Sequence, residues 1–221
     1  MTANDSLRRR TPASAPAKRR QAVSLLKRSL ILDAARAVFE SEGLDGASLR
    51  SIAKAAGYTP AALYFHFPSK EAVYAALLAD SLDRLKAATE DAAAGQGDAA
   101  GALRAAGLAF FTFYAENPGD LDLGFYLFRG GMKPQGLGRD FDPGLNEALA
   151  ATLAPLGQAA HRLGADEAAA ERLVAEFFAY AVGVLLLVHT RRIRMFGQDP
   201  RAMIERHLDL AVSGVRRVAL A

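Results

Sequence analysis

The sequence predicts an all-α protein, with a small three-helix unit near its N-terminus and a larger helical body behind it. After residue 22, no stretch combines the alternating β-branched pattern and the hairpin turns that strands need. The chain also repeats a helix-start signal, in which a capping Asn, Asp or Thr precedes a proline. This signal occurs at Thr59-Pro60, Asn117-Pro118, Asp142-Pro143 and Asp199-Pro200.

Glycines and the spacing of apolar residues define the individual helices. The first helix is amphipathic, because apolar residues such as Ile31, Ala35 and Val38 recur along one face. Gly43 and Gly57 are placed to end the first two helices. The predicted helices span residues 24–42, 49–56, 60–66, 70–93, 99–116, 118–129, 143–163, 166–194 and 200–219.

Composition narrows the class of protein. The 221 residues suit one sizeable domain, or a small domain joined to a larger one, and they include no cysteine, which excludes disulfides and Cys-based zinc sites. The chain starts without the apolar segment of a signal peptide. Its longest apolar run, residues 177–188, is shorter than the roughly 20 residues that cross a bilayer. We therefore expect a soluble, cytoplasmic protein with no membrane contact.

Positive charge is concentrated at the N-terminus. Residues 1–28 hold eight basic residues and one acidic residue, a net charge of +7, whereas the remainder carries a net −4. Residues 1–22 lack apolar periodicity, so we predict a disordered basic arm there. Such an arm is either a solvated tail or a contact surface for a polyanion, and charge alone does not decide between them.

Two short helices after the arm have the spacing of a helix-turn-helix. Residues 49–56 and 60–66 are joined by a tight turn that opens on Gly57. In such a pair the second helix enters the DNA major groove by its N-terminal residues. The sequence therefore predicts a DNA-binding domain over residues 23–75, followed by a helical effector-binding and dimerisation domain over residues 76–221.

The predicted second helix of the pair has two different faces. Leu63 and Phe67, four residues apart, anchor it to the domain, which leaves Tyr64 on the opposite side. Ala61 and Ala62 are small enough to let the backbone approach the bases, whereas an aromatic hydroxyl reaches phosphates. This helix is therefore better suited to docking on DNA than to reading its sequence.

The run "ILDAARAVFESEGLDGASLRSIAKAAGYTPAALYFHFPSKEAV" resembles the DNA-binding domain of TetR-family (tetracycline-repressor-like) transcriptional regulators. The resemblance covers about residues 28–75. It implies an all-helical homodimer that acts as a repressor and is released from a palindromic operator by a small effector. It also implies DNA contacts from Ser48, Arg50, Thr59, Ala61, Ala62, Tyr64, Phe65, His66 and Lys70. Arg50 is the best candidate for a bidentate contact to guanine, and we expect the basic arm to reach the minor groove or the phosphates.

Aromatic residues in the body suggest where a small, mainly apolar effector would bind. Apolar pockets with few polar groups are typical ligand sites, although most of these rings serve an ordinary core. We predict a cavity between helices 99–129 and 143–185, with Arg129 facing an anionic end of the ligand and residues 130–141 gating entry. Its predicted lining is Phe110, Tyr114, Phe125, Arg129 and Tyr180.

The end of the chain is predicted to form the homodimer. Residues 166–194 are apolar on nearly every side, and such a helix must be buried on all sides. We therefore predict a four-helix interface formed by residues 166–219 of each copy. Its predicted apolar contacts are Val182, Leu185, Leu186, Ile204, Leu208, Leu210 and Val215.

Two other functions compete with a ligand-released repressor. One is a constitutive DNA-binding protein without an effector, which a filled cavity would support. The other is an all-helical enzyme, against which stands the lack of a carboxylate pair or a nucleophile–base arrangement in the predicted cavity. We expect no metal site, because His161, His189 and His207 are scattered without ligand spacing. We also expect no cofactor and no enzymatic activity.

Overall fold

The computed structural model describes residues 15–124 and 136–219, which divide into two compact units, Met1–Lys70 and Glu71–Ala221. The described residues form helices and turns and contain no strand, so the predicted all-α class is confirmed. Residues 1–14 of the basic arm lie outside the described residues. The same holds for residues 125–135, which include part of the predicted gating loop.

The first unit contains three helices: α1 (Ala15–Gly46), α2 (Leu49–Ala55) and α3 (Pro60–His66). Helix α1 starts nine residues before the predicted position, because alanine, lysine, arginine and glutamine favour helix and a proline is tolerated in the first turn. At Gly43 the backbone leaves the helical region, with φ 71° and ψ 176°, as the predicted helix end requires.

The buried side chains of the first unit follow the predicted faces. Leu63 and Ile52 are fully buried, and Phe67 is only 2% exposed. Ala53 is also fully buried, and its small side chain lets α2 and α3 pack closely. The buried apolar set of this unit is Ile31, Ala35, Val38, Phe39, Ala47, Leu49, Ile52, Ala53, Leu63 and Phe67.

The second unit is a helical bundle with α5 at its centre, in contact with the three long helices that follow it. Gly107 makes this packing possible: a Cβ there would lie 2.5 Å from a methyl carbon of Leu208 and 3.1 Å from the Phe177 ring. The helices are α4 (Lys70–Ala94), α5 (Ala99–Glu116), α6 (Pro118–Gly124), α7 (Asp142–Arg162), α8 (Glu167–His189), a 3₁₀ helix (Arg192–Phe196) and α9 (Pro200–Ala219).

Helix α8 ends earlier than predicted, at His189 rather than residue 194. The predicted extension of this helix to residue 194 is wrong, because Arg191 adopts a left-handed conformation, with φ 58°. The chain then forms the 3₁₀ helix. With 23 residues, α8 is long and apolar enough to cross a membrane by length and composition, although the apolar run alone was too short. Phe177, Ala181 and Leu185 are nevertheless buried in the core of the unit, and core helices can be equally long and apolar.

Candidate DNA interface

The N-terminus of α2 is held by a reciprocal pair of serines. The Ser51 backbone N–H donates to the Ser48 hydroxyl at 3.0 Å, and the Ser48 backbone N–H donates to the Ser51 hydroxyl at 3.0 Å. This capping box satisfies two of the amide groups that a helix start leaves unpaired. Arg50 lies inside this first turn, is exposed, and has no ion-pair or hydrogen-bond partner among the described residues. The cap therefore fixes the backbone that carries a free guanidinium group.

The turn between α2 and α3 requires its glycine. Gly57 has φ +72°, a left-handed conformation that other residues rarely adopt. The Tyr58 backbone N–H donates back to the Ala53 carbonyl at 2.8 Å and closes the end of α2. Thr59 then caps α3, since its hydroxyl oxygen accepts from the Ala62 N–H at 3.2 Å. The hydroxyl proton of Thr59 stays available for an outside acceptor.

Helix α3 presents its aromatic side chains to solvent. Tyr64 is 58% exposed and Phe65 is 88% exposed, whereas Leu63, on the inner face of the helix, is fully buried. His66 is half-buried and meets the Phe65 ring edge-on, with ring centres 5.6 Å apart. Ala61 is exposed at the first turn. The structure thus gathers the predicted α3 residues on one outer surface, which we call the α3 face: Thr59, Ala61, Ala62, Tyr64, Phe65 and His66.

Two cations tie the ends of this helix pair to α1. The guanidinium carbon of Arg28 lies 4.4 Å from the centre of the Phe67 ring, within the range of a cation–π contact. The Lys70 Nζ donates to the Leu44 carbonyl at 2.8 Å and to the Asp45 carbonyl at 3.3 Å. The sequence did not predict either contact. The signal available for the second was the helix break at Gly43, which leaves carbonyls without helical partners.

In the second unit, the structure describes three of the five predicted effector residues, and two of them, Phe110 and Tyr114, lie in one aromatic cluster. Phe110 is fully buried and meets Tyr114, Phe177 and Phe178 edge-on, with ring centres 5.2, 5.8 and 6.1 Å apart. Burial raises the pKa of the Tyr114 hydroxyl, and the nearby Asp120 carboxylate adds to this rise. These rings form a filled core among the described residues.

Tyr180, the third described member of the predicted lining, has a different neighbour. It stacks on His207 with ring centres 4.2 Å apart and an angle of 8° between the ring planes. Burial lowers the pKa of His207, and the Glu176 carboxylate opposes this shift. Phe125 and Arg129, the two remaining members, lie outside the described residues.

A surface groove lies between α7 and α8, with a volume of about 400 Å³. Its walls are mainly apolar, and the three described members of the predicted effector lining, Phe110, Tyr114 and Tyr180, are not part of them. It is lined by Asn146, Leu149, Ala150, Leu153, Gly157, His161, Glu167, Ala170, Glu171, Val174, Ala175 and Phe178.

The predicted dimer contacts are divided between core and surface. Leu185, Ile204, Leu208 and Val215 are at most 9% exposed within a single chain, so they are covered mainly by their own chain and leave little surface for a second copy. Leu186 and Leu210 remain 59% and 63% exposed, and Val182 is half-buried. Of the predicted dimer contacts, these three therefore keep the most surface for an interface through α8 and α9.

Comparison with known proteins agrees with the helix-turn-helix of the first unit. Residues 31–77 match the family model described as "Bacterial regulatory proteins, tetR family". The HTH-type transcriptional regulator RutR of Escherichia coli (strain K12) is 45% identical over 78 residues, which are 34% of this chain and 36% of RutR. The chain thus matches only about a third of the length of this curated relative.

Solved structures extend the similarity to the whole fold. The transcriptional regulator FadR from Bacillus subtilis, crystallised with stearoyl-CoA, aligns with a TM-score of 0.65 and 20% identity over 84% of this chain and 98% of FadR. A regulatory protein of the tetR family from Rhodococcus RHA1 also aligns with a TM-score of 0.65, at 21% identity over 86% of this chain and 96% of that one. At these identities the likeness is one of fold: an N-terminal helix-turn-helix followed by a helical domain.

Proposed function

We propose that this chain, which carries the DNA-binding domain and the fold of the TetR family, is a transcriptional regulator that represses its target by occupying a palindromic operator. The observation that supports this most is the α3 face. Two large aromatic side chains are exposed on a short helix whose other side is firmly anchored. An exposed tyrosine hydroxyl beside small residues suits a helix that docks against a DNA backbone.

The contacts differ in kind along this surface. We propose that α3 enters the major groove with Ala61 and Ala62 towards the bases and that Tyr64 donates to a phosphate, with Ser48, Thr59, Phe65 and His66 beside it. Arg50 is free to form a bidentate contact to guanine. The basic arm adds phosphate or minor-groove contacts, as its net charge suggests.

We further propose that the protein acts as a homodimer through residues 166–219. A palindromic site needs two reading helices spaced by one turn of DNA, about 34 Å. The exposed Leu186 on α8 and Leu210 on α9 support such an interface, because they leave apolar surface on two helices that pack against each other. Analytical ultracentrifugation tests this: Leu186→Asp with Leu210→Asp should shift dimer to monomer at micromolar concentration, and a monomeric wild-type protein would remove this part of the proposal.

Release by a small effector is a separate proposal. A ligand reduces DNA affinity only through different affinities for the DNA-competent and DNA-incompetent states. The predicted lining of Phe110, Tyr114, Phe125, Arg129 and Tyr180 keeps its place in this proposal, and the apolar groove between α7 and α8 is a second location for the same ligand class. We propose a mainly apolar effector, and no catalytic step, metal or cofactor enters this function.

One observation favours a second function. The Phe110 cluster is filled by its own rings, as expected for a constitutive DNA-binding protein without an effector. Titration of the purified protein with candidate ligands separates the two. Stearoyl-CoA belongs among the ligands tested, because the FadR neighbour was crystallised with it.

Operator selection from random duplexes tests the central proposal. The full-length protein should enrich a two-fold symmetric sequence, and fluorescence anisotropy should then measure specific affinity against a scrambled duplex. Repeating the titration with a metabolite panel should identify ligands that lower this affinity. If no duplex is enriched, the regulator proposal fails; if a duplex is enriched and no ligand reduces binding, the constitutive function replaces the ligand-released one.

A further inference from the structure

Lys70 occupies a position at which the family resemblance implies a phosphate contact, yet its ammonium group is already engaged within the first unit. Its Nζ donates to the Leu44 carbonyl at 2.8 Å and to the Asp45 carbonyl at 3.3 Å. Both carbonyls follow the break at Gly43. Two of the three ammonium protons therefore point at the protein's own backbone.

These carbonyls need a donor from outside α1. The last carbonyls of a helix have no partner along the chain, and a lysine near that end satisfies them and complements the negative end of the helix dipole. Lys70 comes from 26 residues further along the sequence. The contact therefore joins the two ends of the segment that contains α2 and α3. We call these hydrogen bonds from Lys70 to the Leu44 and Asp45 carbonyls the clamp.

The clamped residues lead directly into α2. Ala47 is 3% exposed, Ser48 is the capping residue, and Arg50 lies in the first turn. A displacement of the Leu44 and Asp45 carbonyls would change the direction in which α2 starts, and with it the position of the Arg50 guanidinium group.

We propose that Lys70 is a positioning residue for DNA recognition, which fixes the connection between α1 and α2 and so aims Arg50, instead of acting mainly as a phosphate ligand. This inference rests on the proposed DNA-binding function. It concerns only contacts within the first unit, so the clamp itself is testable without DNA.

The two roles differ in their response to salt and sequence. A phosphate contact releases a counterion, so its loss lowers the slope of log affinity against log salt concentration by about 0.9 and weakens all duplexes alike. Loss of a positioning residue leaves the slope unchanged and weakens the specific operator more than a scrambled duplex. Global destabilisation would alter neither the slope nor this ratio for the folded protein.

The DNA experiment compares three variants of the full-length protein. Lys70→Met removes the donors, Lys70→Arg retains them, and Lys54→Met removes an exposed charge from the last turn of α2 as a matched control. For Lys70→Met we expect about tenfold weaker operator binding, the size of one charged hydrogen bond, with an unchanged salt slope. Lys70→Arg should recover most of the affinity. A slope that falls by about one contact, with equal losses on operator and scrambled duplex, would overturn the proposal.

Hydrogen exchange on the DNA-free protein tests the clamp independently. Amides of residues 47–52 should exchange about tenfold faster in Lys70→Met, at wild-type rates in Lys70→Arg and unchanged in Lys54→Met. Unchanged exchange in Lys70→Met would refute the clamp even if the protein binds DNA, whereas faster exchange without DNA binding would leave the clamp standing and refute the proposed function. Should Lys70→Met fail to fold by circular dichroism, Lys70→Gln, which replaces the charged donor with a shorter, neutral amide, must exchange the amides of residues 47–52 faster than wild type or the clamp is rejected.

Discussion

The aromatic side chains on α3 and those in the core of the second unit differ in their exposure. On α3, Phe65 is 88% exposed and Tyr64 is 58% exposed, whereas Phe110 and Phe177 in the second unit are fully buried. Burying a phenylalanine side chain contributes roughly 1.5–3 kcal/mol, so an aromatic left in water contributes little to folding. The buried rings thus stabilise the body of the protein, and the exposed rings add little to its folding. This difference supports the proposal that α3 faces a partner.

The largest expected effect tests this comparison directly. Phe110→Ala should lower the free energy of unfolding by about 4 kcal/mol, because it removes a ring from a closely packed cluster and leaves a cavity. Phe65→Ala, the same substitution at an exposed site, should change it by less than about 0.5 kcal/mol. Chemical denaturation followed by circular dichroism measures both. Equal losses for the two variants would contradict the division between core and surface rings.

A smaller effect distinguishes the tight packing of α5 from open helix surface. Gly107→Ala should lower the free energy of unfolding by about 2 kcal/mol, because its Cβ would overlap with the methyl carbons of Leu208. Gly144→Ala is the matched control: it lies in the first turn of α7 with no atom within 4 Å of the added carbon. There the change should raise stability slightly, by about 0.5 kcal/mol, through helix propensity. Thermal unfolding of both variants checks this, and a Gly107→Ala protein as stable as wild type would show that α5 has room to spare.

Within the proposed DNA surface, a contact to the bases and a contact to the phosphate backbone should have different effects on binding. Arg50→Ala should reduce the preference for operator over a scrambled duplex by about 1–3 kcal/mol, because it removes the best candidate for a bidentate base contact. Tyr64→Phe should weaken both duplexes alike by about 1 kcal/mol, because it removes only a hydroxyl. Anisotropy titrations on paired duplexes provide the measurement. If Tyr64→Phe changes the preference and Arg50→Ala does not, the two assignments must be exchanged.

Local signals in the sequence were enough for most of the fold. The Thr59-Pro60 pair and Gly57 correctly predicted the start of α3 and the turn before it, because capping and left-handed backbone are decided by a few neighbouring residues. The inward faces of α2 and α3 followed from spacing for the same reason.

Contacts between distant residues were beyond such signals. An apolar face predicts that a residue is buried but does not identify what covers it. Leu185 was predicted to meet a second copy and is covered by its own chain, while Leu186, one residue further, is exposed. The clamp from Lys70 to Leu44 escaped prediction likewise, because it depends on how the chain returns after 26 residues.

The smallest expected effect on stability concerns His207, whose ring is neither fully buried like Phe110 nor exposed like Phe65. It stacks on Tyr180 and is only partly buried, with Arg206 and Glu176 as its charged neighbours. Burial lowers its pKa in the folded state, so the unfolded chain binds the proton more tightly and stability rises with pH. Its contribution is complete above the ordinary histidine pKa of 6.5 and is lost as the pH falls through the lower folded value. Unfolding curves between pH 7.5 and 5, at about 0.5-unit steps, should therefore show a shallower loss of stability on acidification in His207→Gln than in wild type. Tyr180→Ala, which keeps the histidine but opens it to water, should give an intermediate slope; a steeper slope in His207→Gln would mean that the Glu176 carboxylate outweighs burial at this ring.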